Sequence, residues 1–146
     1  MTILTVVVGS YEGSVYCFKV NLVHLNYNRH FSNQDSIGGV RSIQVSNTTA
    51  YIGSKDESIR IYNHAKKRSD GVLTSHTGTV FKIELTSQYL ISGDDNANIM
   101  LWGNKNKALY HIIKTGKHGM LDFDVHPSEK MVISMGGAEG KFYILR

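Results

Sequence analysis

A ten-residue phrase occurs four times in the chain: a small residue, a polar turn, then an alternating strand that ends on a large apolar side chain. The copies run from Gly9 to Phe18, Gly53 to Tyr62, Gly93 to Trp102 and, more loosely, Gly136 to Leu145. Their leading glycines lie 44, 40 and 43 residues apart. A short apolar strand precedes each phrase, so the repeated unit is a hairpin, and its period is that of a β-propeller blade. The hairpins fall near residues 4–20, 49–63, 88–103 and 130–146.

The segments between hairpins supply two further strands per repeat. Inner strands are predicted at Val40 to Val45, Val80 to Leu85 and Leu121 to Val125, and an outer strand at Ala108 to Ile113. In Leu121-Asp122-Phe123-Asp124-Val125 the apolar residues alternate, as a strand with one buried face requires. No stretch carries a sustained helical period. The sequence therefore reads as all-β, a propeller segment of about three and a half four-stranded blades. An open arc of blades leaves apolar faces and strand edges uncovered. The expectation is a segment of a larger, about seven-bladed ring, or an arc that a partner completes, and an isolated chain that is not a simple monomer. With one proline, Pro127, and no low-complexity tract to mark a linker, residues 1–146 read as one partial propeller domain.

Composition narrows the setting. A lone Cys17 cannot form an internal disulfide, and the apolar start Met1 to Val8 lacks the basic n-region and cleavage site of a secretion signal. No apolar run approaches the roughly 20 residues of a membrane-spanning helix. A soluble intracellular protein without membrane partners is expected. The net charge of +4 is mildly basic and compatible with a ribonucleoprotein neighbourhood. Its one dense cluster, Lys66-Lys67-Arg68, reads first as a solvated turn, and second as an RNA or partner contact or part of a nuclear-import signal.

The hairpins resemble WD repeats. Trp102 takes the Trp position of the third copy, where Phe18, Tyr62 and Leu145 stand in the others. The resemblance implies a buried hydrogen-bond chain of His, Ser or Thr, Asp and Trp, with His76, Ser92 and Trp102 in three of those places. Asn96 replaces the usual Asp of the turn, and Asp56 fills that place in the preceding hairpin. No WD dipeptide is present, and Ser36 and Gly116 stand where the other His residues would be. Within WD proteins, VVGSYE at Val7 to Glu12 and GSKDESIRIY at Gly53 to Tyr62, with SHTG, LISG and VHPS, are similar to the N-terminal half of the PAK-kinase-interacting, maintenance-of-killer type. That resemblance implies a scaffold of the nucleus and nucleolus in large-ribosomal-subunit assembly and rRNA processing. Its implied partners are pre-ribosomal large-subunit proteins and rRNA; the alternative role is an adaptor that restrains a PAK-type kinase.

Groups that could carry chemistry are few. His118, Asp122, Asp124 and His126 include metal-ligating types, but ligands spaced along one strand diverge unless other segments complete the shell. Asp94 and Asp95 read as turn residues that accept local backbone hydrogen bonds. Residues 136–141, GGAEGK, lack the first Gly and the Ser or Thr of a phosphate loop, and a strand follows in place of a helix. Cys17 has no activating His motif beside it. No catalytic set, metal site or cofactor is expected.

Overall fold

The computed structural model describes residues 2–33, 38–117, 119–136 and 142–145, the last four by their backbone. Fourteen strands are present and no helix occurs among the described residues. They form four antiparallel sheets met in chain order. The first holds β1 (Ile3–Gly9), β2 (Val15–Asn21) and β3 (Asn26–Asn33). The second holds β4 (Val40–Val45), β5 (Thr49–Ser54), β6 (Ser58–Asn63) and β7 (Arg68–Thr74). In the third lie β8 (Val80–Leu85), β9 (Tyr89–Asp94), β10 (Asn98–Gly103) and β11 (Leu109–Lys114). The fourth comprises β12 (Met120–Val125), β13 (Val132–Gly136) and β14 (Phe142–Leu145).

Two sheets are thus four-stranded, and the terminal ones lack different members. In register, β1 stands at the place of β5 and β9, so no inner strand of the first sheet occurs among the described residues. The fourth sheet begins on its inner strand, β12, and ends at the place of β6 and β10.

The hairpin turns are short and built alike. Gly13, Glu57 and Ala97, each four residues after a leading glycine, have φ of 88°, 64° and 66°. A turn that closes on a left-handed residue matches the twist of the flanking strands. Leu25, Lys67 and Lys107 repeat the conformation in the turns to the outer strands, with φ of 49°, 55° and 58°. These non-glycine residues accept a left-handed backbone that typically costs about 1–2 kcal/mol, which sheet pairing on both sides imposes.

Three apolar layers join the sheets. Val15 with Val7 and Phe31 meets Ala50, Ile52 and Tyr62 between the first two sheets. Tyr51, Ile59, Ile61 and Leu73 meet Val80, Ile83, Leu90 and Trp102 between the second and third. Ile91, Ala97 and Ile99 meet Met120, Phe123 and Val132 between the third and fourth. Each junction also carries a polar latch. His30 Nε2 lies 3.1 Å from the His64 carbonyl; the Lys107 ammonium sits 4.6 Å over the Tyr51 ring; and the Ser87 amide donates to Glu129 at 3.0 Å.

The leading glycines occupy the tightest points of these layers. A Cβ on Gly53 would lie 2.8 Å from Val80 Cγ1 and 2.9 Å from the Val80 carbonyl oxygen, and one on Gly93 would lie 2.8 Å from Met120 Cε and from Phe123. Gly9 faces Val40 in the same way. Each inner strand therefore seats its first residue on the glycine of the sheet before.

The fourth copy departs from its predicted phase. Gly53 pairs with Ser42 and Gly93 with Lys82, and the corresponding partner of Asp122 is Met135, not Gly136. Its turn is one residue longer: Gly53 faces Ile59 and Gly93 faces Ile99, whereas Met135 faces Phe142. The insertion restores the phrase one residue late and makes Gly136 look like the leader. Residues 137–141 of that turn, with Ser36 and His118, lie outside the described residues.

Gly53→Ala is expected to lower unfolding free energy by about 1–3 kcal/mol, the usual cost of overpacking a tight layer. Denaturant titration checks this, and a cost near zero would mean that β8 shifts freely.

Candidate interaction surface and buried hydrogen-bond chain

Trp102 reaches from β10 to the Ser92 hydroxyl on β9, its Nε1 donating at 2.8 Å. Ser92 Oγ lies 2.7 Å from His76 Nε2, and His76 Nδ1 lies 2.9 Å from Asp94 Oδ2. All four side chains are buried. With a neutral imidazole the chain runs in one direction: indole N–H to serine, serine O–H to Nε2, and Nδ1–H to the carboxylate. Every buried donor and acceptor along it finds a partner, which is what makes such a network stabilising.

The acid of this chain is Asp94, at the end of β9, and not the turn position of Asn96. Asn96 instead bonds across the loop, its Nδ2 donating to the Thr77 carbonyl at 2.6 Å and its backbone N–H to Asp94 Oδ1 at 3.1 Å. The turn position points along the surface, while the strand-end position points beneath it toward His76. Burial on its own pushes the Asp94 carboxyl up, but hydrogen bonds from His76 and Asn98 outweigh it and leave the group below its ordinary value.

In the second sheet Asp56 serves a different group. Its carboxylate accepts from Ser54 and from Ser58, the latter at 2.6 Å, and pairs with Arg60 at 2.7 Å. Burial raises its pKa, and the Ser54, Ser58 and Arg60 contacts lower it by more. In the fourth sheet Ser134 stands at the place of Ser92, opposite Phe123 as Ser92 is opposite Ile83. Among the described residues its buried hydroxyl has no hydrogen-bond partner. Gly116 and Leu145 occupy the His and Trp places there and supply neither donor nor acceptor side chain.

Other candidates separate. Lys66, Lys67 and Arg68 form the turn from β6 into β7, with Arg68 Nε 2.8 Å from Asp70 and the Lys66 amide on Asn63 Oδ1 at 2.9 Å. Asp122 pairs with Lys82 at 3.0 Å, and His126 Nδ1 turns back to Ser128 Oγ at 2.8 Å. Among the described residues no three metal-ligating side chains converge. Cys17 is buried, and burial pushes its thiol up.

A surface missed in the sequence assembles at the inner rim. Arg41, Phe81 and Leu121 are the second residues of β4, β8 and β12; Lys55 and Asp95 follow Gly53 and Gly93 by two. With Thr79 and Met120 they line a cleft of about 500 Å³. Tyr11, at the same place after Gly9 and largely exposed, lies beside it with the Lys55 ammonium 4.1 Å from its ring centroid. A hydrogen bond from Lys55, with the charges of Lys55 and Arg41, lowers the Tyr11 phenol below its ordinary pKa. Asp95 is engaged by the Thr79 amide at 2.8 Å. The cleft therefore offers two cations, an aromatic ring and an apolar floor, a combination suited to acidic and apolar side chains of a protein partner.

The two serines provide a matched test. Ser92→Ala, which strands the Trp102 donor and the His76 Nε2 acceptor, is expected to cost about 1–3 kcal/mol, and Ser134→Ala to be neutral or stabilising. Chemical denaturation of both variants checks the contrast. Acid provides a second test, since Asp94 contributes stability that is complete above the unfolded carboxyl pKa of about 3.9 and is lost as pH falls through the lower folded value. Asp94→Asn should thus melt below the parent at neutral pH, with the gap closing in melts recorded well below pH 4.

No protein-family profile matches the chain. Known proteins do resemble it. It is 29% identical over 136 residues to the "p21-activated protein kinase-interacting protein 1-like" of Xenopus laevis, covering 91% of this chain and 38% of that one. Identity with "Protein MAK11" of Saccharomyces cerevisiae is 26% over 158 residues, 89% of this chain and 38% of the other. With "Shk1 kinase-binding protein 15" of Schizosaccharomyces pombe it is 25% over 143 residues, 94% and 42%. The chain spans about two fifths of the length of these relatives. Among solved structures, the computationally designed Ika4 protein superposes with a TM-score of 0.84 at 14% identity, over 99% of this chain and 86% of the design. The designed Ika8 protein gives 0.83 at 14%, over 99% of this chain and 43% of that one. The designs share only the fold; the repeated phrases and the three natural relatives place this chain in the WD-repeat family of PAK-interacting and MAK11-type proteins.

Proposed function

We propose that the chain is a non-enzymatic scaffold in assembly of the large ribosomal subunit, working in the nucleus and nucleolus. The observation that carries this reading is similarity to MAK11 over 89% of the chain, together with the paired phrases VGSYE and GSKDESIRIY. Two features support it. The buried polar groups His76, Ser92, Asp94 and Trp102 bond to one another as a structural chain. The exposed rim cleft presents the mixed cationic and apolar surface of a docking site. In this reading Arg41, Lys55, Phe81 and Leu121 meet a pre-ribosomal protein, while Lys66 and Lys67 approach rRNA.

Co-sedimentation of the tagged chain with large-subunit precursors tests the proposal. Arg41→Glu with Lys55→Glu is expected to weaken association at least about tenfold, equivalent to roughly 1.4 kcal/mol, without lowering the melting temperature. Neutralising Lys66, Lys67 and Arg68 is expected to flatten its salt dependence, because each phosphate contact releases condensed counterions.

A second reading, an adaptor that binds a PAK-type kinase and restrains it, is favoured by the names of two relatives, a kinase-interacting and a kinase-binding protein. Absence from every precursor fraction, with salt-resistant binding to a purified kinase regulatory segment, would put this reading in place of the first.

A further inference from the structure

A second cleft, of about 450 Å³, lies over one end of the third sheet, which has the second and fourth sheets packed on either side of it. Neither the first sheet nor the last hairpin contributes to it. Met100 on β10 forms its buried floor, and Ile112 on β11 a wall. Lys114 and Lys117, at and beyond the end of β11, supply its charge, and Ser75 and Thr77, ahead of β8, supply hydroxyls.

The donors of this cleft want an acceptor. Both lysines are exposed, and among the described residues neither ammonium pairs with a carboxylate. Asp94, which is bonded to the cleft's Asn98, is buried and already committed: Oδ2 takes His76 Nδ1 at 2.9 Å, and Oδ1 takes the Asn98 amide at 2.9 Å. Thr77 Oγ1 receives Asn98 Nδ2 at 3.3 Å, which turns its own proton away from that amide. Two ammonium groups beside an outward hydroxyl donor suit an oxyanion.

This cleft and the rim cleft lie on the two sides of one ridge. Thr77, Asn96 and Gly119 line the first, and Thr79, Asp95 and Met120 line the second. The ridge is tightly held: a side chain at Gly78 would strike the Asp95 carboxylate, and one at Gly119 would come within 2.7 Å of the Asp95 carbonyl oxygen. We infer that one extended, acidic segment of a protein partner crosses this ridge. It sets a carboxylate between Lys114 and Lys117, an apolar residue on Phe81, and a second carboxylate toward Arg41 and Lys55. The inference rests on the reading of the rim cleft as a protein-docking site and names the chemistry of what docks there. Asp95, exposed on the ridge, selects against nucleic acid. Its carboxylate can accept a main-chain N–H from a crossing peptide, whereas it repels a backbone that carries a negative charge at every link.

The probe is a fluorescent peptide with a leucine pair between two runs of glutamate, titrated with the chain and read by anisotropy. Lys114→Glu with Lys117→Glu should weaken its binding at least about tenfold, as charge reversal across a complementary contact does, and leave the melting temperature unchanged. Arg41→Glu with Lys55→Glu should weaken it as well. The same charge change at Lys105 and Lys130, exposed residues of turns at the opposite ends of the strands, should have no effect. An equal loss at that control pair would mean attraction by net charge alone and overturns the inference. Loss at only one of the two clefts would mean separate sites, with the same result. A uridine oligomer of equal charge that binds more tightly than the peptide, through the same two lysines, would make the cleft an RNA site instead. Failure of the parent chain to bind the peptide also overturns the inference, while co-sedimentation with large-subunit precursors still decides the scaffold reading on its own.

Discussion

The seating of an inner-strand residue on the preceding sheet's glycine sets the spacing of the whole arc. Val40, Val80 and Met120 approach Gly9, Gly53 and Gly93 more closely than any side chain would permit. Close-packed interiors tolerate few adjustments of that size, so the glycines fix how far apart neighbouring sheets sit at their inner ends. The larger residues farther out, Tyr62 and Trp102 on the third strands, then fill the wider part of their wedges. Curvature follows from this difference between a thin inner end and a thick outer one. The polar latches add alignment at the periphery, with little apolar burial of their own.

Much of this was legible in the chain because it depends on period. The spacing of Gly9, Gly53 and Gly93 and the alternation in the inner strands report backbone geometry directly, and the four hairpins lie where those signals place them. The fourth copy misled because Gly136 supplies a glycine one residue after the structural position, and only strand register distinguishes it from Met135. The acid's place, read at Asn96, falls instead on Asp94 for a related reason. Both are polar residues at one turn, and which of them points under the sheet toward His76 is decided by where β9 ends.

The rim cleft was not legible because its members are far apart in sequence and ordinary one by one. Arg41, Phe81 and Leu121 share a strand position, and Lys55 and Asp95 share a turn position, but a common surface exists only once the sheets curve around a shared inner edge. The Ser134 hydroxyl was invisible for the opposite reason. Its residue type fits the repeat, and the fault lies in the partners that the fourth sheet does not provide. An orphaned hydroxyl marks where a repeat has kept the form of its neighbours without their chemistry.

The left-handed turn residues separate two properties of a loop. Glu57, Ala97, Lys67 and Lys107 adopt a backbone usually left to glycine, with side chains as different as a carboxylate, a methyl and two amines. What the sheet enforces is the number of residues between strands, because one more or fewer sends every following side chain to the opposite face. The identity of the turn residue is left comparatively open. The rims of this protein can accordingly be rewritten residue by residue for new contacts while the strands stay in step, provided the length of each loop is kept.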